Sequence, residues 1–86
     1  MNDILWKVTQ LSNNNIIYIV APRWFEARSI AQSVLMAERE DIRILRLHKI
    51  DFTPQELANR GEEVYVCQFG KETLIKGGLR IFPENH

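Results

Sequence analysis

The chain is poor in the residues that cross-link a protein or carry it through a membrane. Its single cysteine, Cys67, excludes an intramolecular disulfide framework. No apolar run approaches the roughly eighteen residues that a membrane-spanning helix needs. The first residues, MNDILWK, lack the basic segment and the long apolar stretch of a secretory signal. We therefore expect a cytoplasmic protein that has no membrane partner.

An excess of either charge is also lacking. Eleven Lys and Arg residues balance eleven Asp and Glu residues, so the formal net charge is zero. This balance argues against a general polyanion binder and against an acidic mimic of DNA, although a local patch of either sign remains open. With 45% hydrophobic and 26% charged residues in 86 positions, the composition is that of one globular domain, residues 1–86.

Catalytic and metal-binding patterns are missing as well. The two histidines are His48, in a predicted strand, and His86, the last residue, and neither has a catalytic partner nearby in sequence. Cys67 falls inside a predicted strand, where a thiol is usually inert. No H-x-E, C-x-x-C, Walker or dinucleotide-binding pattern occurs. We expect no enzyme activity, no cofactor and no metal.

The first half of the chain predicts a hairpin followed by a long helix. Residues 4–11 mix β-branched, aromatic and polar residues, and residues 16–20 are entirely apolar, which is typical of a central strand. The asparagine-rich segment 12–15 joins them. Apolar residues at helical spacing then predict a helix over about residues 23–38, with Pro22 in its first turn. Its inner face contains Ala27, Ile30, Ala31, Val34 and Leu35.

In the second half, residues 42–50 predict a strand whose apolar alternation breaks phase. Either a bulge near residues 44–45 restores one apolar face, or the strand is apolar on both faces at its start and basic at its end. Thr53, Pro54 and Glu56 form a capping-box pattern, which predicts a short helix ending at Gly61. Three more strands are predicted over residues 63–69, 72–76 and 79–82.

These elements predict a small α/β (α+β) fold in the order β-β-α-β-α-β-β-β. We expect a mixed sheet of five to six strands with one long and one short helix. Two helices are too few to bury both faces of strands that are apolar on both sides. We therefore expect a homodimer, formed through either a sheet face or an edge strand, with Trp6 and Tyr65 as interface anchors.

One group of residues is suited to nucleic-acid binding. Guanidinium groups pair with phosphate while an indole stacks on a base, so arginines near a tryptophan favour a single-stranded RNA or DNA site. The candidate residues are Arg23, Trp24, Arg43, Arg46, His48 and Lys49. A structural interpretation stays open beside this one. In it, Trp24 seals the long helix onto the sheet and the arginines pair with the acidic residues of segment 38–41.

The central β-α-β-α-β-β order resembles the Alba-type nucleic-acid-binding fold, whose members are small dimers. The resemblance is one of topology and transfers no residues. The lysine- and glycine-rich motif of that family is not visible in this sequence, and an additional strand precedes the shared order.

By elimination, we expect a small non-catalytic interaction protein that dimerises and binds a macromolecular partner, as a regulator or inhibitor of a larger protein. A phage or bacterial accessory protein fits this description. The alternative is an RNA- or DNA-binding protein that uses the basic strand and Trp24. A third hypothesis, a small-molecule enzyme, would need a deep pocket with a perturbed titratable group around His48.

Overall fold

The computed structural model describes the backbone of residues 4–48, 53–68, 71–75 and 79–80, with side chains for residues 4–48 and 53–66. The predicted turns at Gly70 and Gly77 lie outside the described residues. In chain order, the elements are β1 (Ile4–Gln10), β2 (Ile16–Ala21), α1 (Trp24–Leu35), a 3-10 turn (Arg39–Asp41), β3 (Ile42–Leu47), α2 (Pro54–Asn59), β4 (Val64–Gln68) and two further strand segments, β5 (Lys71–Ile75) and β6 (Leu79–Arg80).

A mixed sheet organises these elements. β1 lies between β3 and β2 and runs antiparallel to both, while β4 lies on the other side of β2 and runs parallel to it. Backbone pairing continues from β4 to β5 and from β5 to β6. The predicted class, a small α+β fold with a mixed sheet and two helices, is confirmed. No helix in the described part of the chain is long and apolar enough to cross a membrane.

The asparagine-rich segment forms the turn between β1 and β2, as predicted. Asn14 has a φ of 61°, a left-handed conformation that asparagine adopts more readily than most residues. The side-chain oxygen of Asn13 accepts a hydrogen bond from the backbone N–H of Asn15 at 3.0 Å. This turn leads into a register in which Thr9 lies opposite Ile16.

Side chains of the central strands alternate between two cores, one on each face of the sheet. α1 covers one side, called the α1 face, and α2 covers part of the other, called the α2 face. The α1-face core contains Trp6, Val8, Ile17, Ile19, Ala21, Ala27, Ile30 and Ala31. The α2-face core contains Leu5, Val20, Leu57, Ala58 and Val64. β2 contributes to both cores, as expected of a central strand.

α1 is shorter than the sequence predicts. It begins at Trp24, because Arg23 still has an extended backbone and serves as the N-cap. Pro22 therefore lies outside the first turn, and its predicted place in that turn is wrong. The helix ends at Leu35, because Met36 adopts a left-handed conformation that terminates a helix. The inner face is confirmed, with three of its predicted residues buried and the other two partly buried.

β3 contains no bulge. Its six residues pair with β1 without interruption, so strict alternation holds along the strand. Ile42 and Ile44 pack on the α1-face core, and Leu47 packs on the α2-face core. Leu45 also belongs to the α2 face but is 54% exposed, because α2 lies over β4 and β5. The predicted continuation of this strand beyond residue 48 lies outside the described residues.

The predicted capping box starts α2. The Thr53 hydroxyl accepts a hydrogen bond from the backbone N–H of Glu56 at 3.2 Å, and the Thr53 N–H donates to the Glu56 carboxylate at 3.0 Å. Pro54 occupies the first turn, where its missing N–H leaves no intrahelical bond unmade. Since a helix of six residues is too short to be stable alone, the burial of Leu57 and Ala58 holds it on the sheet.

Both helices end with a residue in the left-handed region. After α2 this residue is Gly61, with a φ of 91°, and its N–H donates to the carbonyl of Ala58 at 3.0 Å in a Schellman-type ending. After α1 it is Met36, with a φ of 52° and a side chain that is 90% exposed. Glycine adopts this conformation without strain, whereas the Cβ of Met36 makes it unfavourable.

Substitutions at these two positions should have opposite effects on stability. Met36→Gly removes the Cβ from a left-handed residue and should raise the free energy of unfolding by about 1 kcal/mol. Gly61→Ala should lower it by about the same amount. A Cβ at position 61 meets nothing within 4 Å, so the loss would come from the backbone alone. Urea unfolding measures both changes, and effects of the same sign would contradict this account.

Asp41 connects the start of β3 to the turn between β1 and β2. Its carboxylate accepts hydrogen bonds from the Ser12 hydroxyl at 2.7 Å and from the Gln10 amide at 3.2 Å. Its backbone carbonyl accepts a bond from the Leu11 N–H at 2.7 Å. The hydrogen bond from Ser12 is the main cause that holds the pKa of Asp41 below its ordinary value.

Removing that hydroxyl should change both the titration of Asp41 and the acid stability of the fold. Because the folded pKa of Asp41 lies below its unfolded value, the interaction stabilises the fold at neutral pH and is lost as pH falls through the folded pKa. Ser12→Ala should therefore raise the pKa of Asp41 and destabilise the chain more at neutral than at acid pH. NMR titration checks the pKa, with Ser33→Ala on α1 as the control. An unchanged pKa in Ser12→Ala would refute the assignment.

Candidate macromolecule-binding surface

Two large aromatic side chains at the start of α1 are half exposed. Trp24 is 46% exposed and Phe25 is 49% exposed. They follow the carboxyl end of β2, and ligands commonly bind at the carboxyl ends of strands in α/β sheets. Single exposed apolar residues are ordinary, but adjacent exposed aromatics are typical of interaction surfaces.

Two arginines pack on these rings. The guanidinium of Arg28 lies 4.9 Å from the centroid of the Trp24 ring, and that of Arg23 lies 5.2 Å from the centroid of the Phe25 ring. Both distances are within the range of cation–π attraction. These four residues are called the Arg–aromatic cluster below. Each pair presents a positive charge and ring surface side by side.

The charge of the Arg–aromatic cluster is only loosely neutralised. Arg23 and Glu26 approach to 3.9 Å, but the Arg23 side chain is 65% exposed, so the ion pair contributes little. The Nε atom of Arg28 has no hydrogen-bond acceptor among the described residues. Two guanidinium groups thus stand beside one carboxylate, so the formal charge of the cluster and Glu26 together is +1.

A buried hydrogen bond holds the end of β2, from which the chain leads into the Arg–aromatic cluster. The indole N–H of Trp6 donates to the backbone carbonyl of Ala21 at 3.0 Å. Ala21 is the last residue of β2 and is fully buried, two positions before Arg23. Because this bond and the packing around it hold the end of β2, α1 starts at a defined position beside the sheet.

The predicted basic residues of the third strand divide between the two faces. Arg46 pairs with Trp6 on the α1 face, toward the end of the sheet where α1 begins. Arg43 belongs to the α2 face and lies near the opposite end of β3. His48 is exposed and directly follows β3, and Lys49 lies outside the described residues. The structure therefore brings Arg46 to the side of the Arg–aromatic cluster and separates Arg43 from it.

The structural interpretation of these residues stays open for Trp24. Its side chain is 46% exposed, so about half of it packs on the rest of the chain. Arg43 and Arg46 are exposed and, within the described part of the chain, form no ion pair with segment 38–41. Asp41 instead accepts hydrogen bonds from the turn between β1 and β2.

The two predicted interface anchors both lie on the α1 face. Trp6 is 7% exposed and belongs to the α1-face core. Tyr65 is partly buried against the same core, and its hydroxyl donates to the Glu63 carboxylate at 3.3 Å. These are the contacts of core residues, and the role of either side chain as an interface anchor stays a prediction.

An open cleft of about 250 Å³ lies at the other end of the sheet, beside the start of β2. Burial, followed by the charge of Glu62, raises the pKa of the nearby Tyr18 hydroxyl. The enzyme hypothesis requires a pocket around His48. That residue follows the last residue of β3, at the end of the sheet away from this cleft. Among the described residues, no group of three or more His, Cys, Asp or Glu side chains could hold a metal ion. The cleft residues are Asn15, Ile16, Ile17, Leu35, Gly61, Glu62 and Glu63.

Two members of the Arg–aromatic cluster were missed by sequence reasoning. Phe25 resembles an ordinary packing residue at a helix start, and Arg28 falls on the predicted outer face of the helix. Trp24 and Arg28 are four residues apart, and residues at that spacing are neighbours on a helix surface. This spacing could have identified their contact, whereas no comparable signal exists for Arg23 and Phe25.

No protein-family model, curated protein or solved structure matches this chain. The topological resemblance to the Alba-type fold thus gains no support from a structural match. The function has to be inferred from the surface itself.

The two tryptophans should differ sharply in their contribution to stability. Trp24→Ala should lower the free energy of unfolding by less than about 1 kcal/mol, because much of the side chain is already in water. Trp6→Ala should cost about 3–5 kcal/mol, because it empties part of the core and removes the hydrogen bond to Ala21. Denaturant unfolding measures both losses. If the two losses are equal, Trp24 is a core residue and not part of a binding surface.

Proposed function

We propose that this chain is a small non-catalytic interaction protein that forms a homodimer and binds a macromolecular partner, as a regulator or inhibitor. The Arg–aromatic cluster carries the proposal, because it combines adjacent, half-exposed Trp24 and Phe25 with arginines packed on their rings. Tryptophan and arginine are enriched among the residues that dominate binding energy at interfaces. The cluster is the surface at which we expect the partner.

β3 supports the dimer. It has β1 on one side and no described strand on the other, so it is an edge of the sheet. The unpaired N–H and C=O groups of an edge strand favour pairing with a second chain. In its full form, the proposal takes the sheet to have the predicted five to six strands, with β3 as the edge that dimerises.

Charge favours dimerisation through this edge over dimerisation through a sheet face. Among the strand positions whose side chains the structure describes, the charged residues of the α2 face are Lys7 and Arg43, so stacking two such faces would bring like charges together. Antiparallel pairing of two β3 strands centred on Ile44 puts Arg43 opposite Leu45 of the second copy. It also leaves Arg46 opposite Ile42, so no arginine faces another arginine.

Substituting Leu45 by residues of opposite charge tests the pairing centred on Ile44. In the pairing centred on Ile44, Leu45→Lys places a second positive charge opposite Arg43 and Leu45→Glu places a negative one there, twice in each dimer. At about 0.2–1 kcal/mol for each cross-strand pair, the dissociation constant should rise about two- to thirtyfold in the first variant and fall by a similar factor in the second. Light scattering after size exclusion measures the mass against the 10.1 kDa of one chain.

Two controls separate the alternatives. Leu11→Lys changes an exposed leucine outside the strands and should leave the mass unchanged. Lys7→Glu should strengthen a sheet-face dimer and leave an edge dimer unaltered, because β1 is not at the edge. If both Leu45 variants weaken the dimer, the pairing is centred on Leu45 instead, because each substituted residue then faces its own copy. A mass of 10.1 kDa at every concentration would refute the dimer.

A further inference from the structure

We infer that the Arg–aromatic cluster, together with Arg46, binds single-stranded nucleic acid. The inference rests on the proposed function, because it names the class of macromolecule that the same surface takes. It follows from the combination of exposed ring surface with guanidinium groups, which matches a ligand that has both planar bases and phosphates.

Ring surface is the first component of the site. Trp24 and Phe25 are each about half exposed while an arginine already packs on each ring, so further ring surface remains in solvent. Bases of a single strand stack on such rings without regard to sequence, whereas bases of a duplex are stacked on one another and inaccessible. The rings therefore favour a single strand over a duplex.

Positive charge close to the rings is the second component of the site. Arg23 and Arg28 flank the rings, and Arg46 lies on the same face of the sheet near the same end. β3 and β2 are separated by one strand, so their backbones are about 10 Å apart. A nucleic-acid backbone that crosses this end of the sheet can contact all three guanidinium groups. Glu26 is the one carboxylate in the first two turns of α1.

An acidic segment of a partner protein is the competing ligand. It would satisfy the arginines, but acidic side chains have no aromatic ring to stack on Trp24 and Phe25. The formal net charge of zero limits general attraction to polyanions, so binding must depend on the local surface. The two ligands therefore differ in whether their affinity depends on the rings.

The decisive experiment measures fluorescence anisotropy of a labelled single strand of about 12 nucleotides, as DNA and as RNA, with the full chain. Affinity should fall with salt, with a slope of log K against log salt of about −2 for three phosphate contacts. Trp24→Leu should weaken binding about tenfold, and Trp24→Phe should retain most of the affinity. Arg28→Ala should weaken binding and reduce the slope by about 0.7.

Arg39→Ala is the matched control, because Arg39 is an exposed arginine of the 3-10 turn before β3, at the end of that strand away from Arg46, and its loss should leave affinity and slope unchanged. Thermal unfolding verifies that each variant is folded. The inference is overturned if no strand binds at low salt, if Trp24→Leu binds as the parent does, or if a duplex binds equally well.

A polyglutamate peptide of similar length separates failure of the inference from failure of the proposed function. If the peptide binds through Arg23 and Arg28 while oligonucleotides do not, the partner is an acidic protein and only the inference falls. If neither ligand binds and the chain is a monomer, the proposed function falls with it. The dimer is tested by the Leu45 variants on the α2 face of β3, whereas Arg46 lies on the α1 face of that strand, so the two tests change different side chains.

Discussion

Burial on both sides of β2 is the constraint on which the rest of the structure depends. A strand with apolar side chains on both faces has to be covered twice. α1 covers one face, and Ala27 and Ala31 let its axis approach the sheet closely. α2 has six residues and covers only part of the other face, on the side of β4 and β5. Leu5 and Leu47 still pack on the α2-face core, but the area around Leu45 is left open, which explains why Leu45 is exposed.

The edge strand and the Arg–aromatic cluster have complementary roles in the proposed assembly. Two β3 strands paired antiparallel are related by a two-fold axis perpendicular to the sheet, so both α1 helices lie on the same side of the joined sheet. Both clusters then face one side, at opposite ends. A ligand that reaches from one cluster to the other gains affinity without any new contact, because its second binding event is intramolecular.

Elements with strong local signals were predictable from the sequence. The capping box at Thr53 and the asparagine turn are local chemistry, and the apolar spacing of α1 identifies its buried face. The end of α1 was not predictable, because Met36 is not a residue that usually adopts a left-handed conformation. The end of a helix at such a residue depends on the surrounding chain, which the sequence pattern does not report.

The candidate site was predictable only in part, for a related reason. Arg43 and Arg46 are three residues apart, and in an uninterrupted strand that spacing places them on opposite faces. A bulge between them would have put them on one face, and alternation alone could not exclude it. Only the uninterrupted pairing of β3 with β1 shows that no bulge separates the two arginines. The burial of Trp6 was likewise not predictable, because the sequence did not show which face of the sheet α1 would cover.

The contrast between the two tryptophans gives the chain a pair of built-in optical reporters. Trp6 lies in an apolar core with its indole N–H bonded to Ala21, whereas Trp24 is half exposed and lies against a guanidinium. The emission of a buried indole is shifted to the blue and protected from aqueous quenchers such as iodide, while that of an exposed indole is shifted to the red and quenched. One unlabelled sample therefore reports the integrity of the core at one edge of its emission spectrum and the state of the surface at the other.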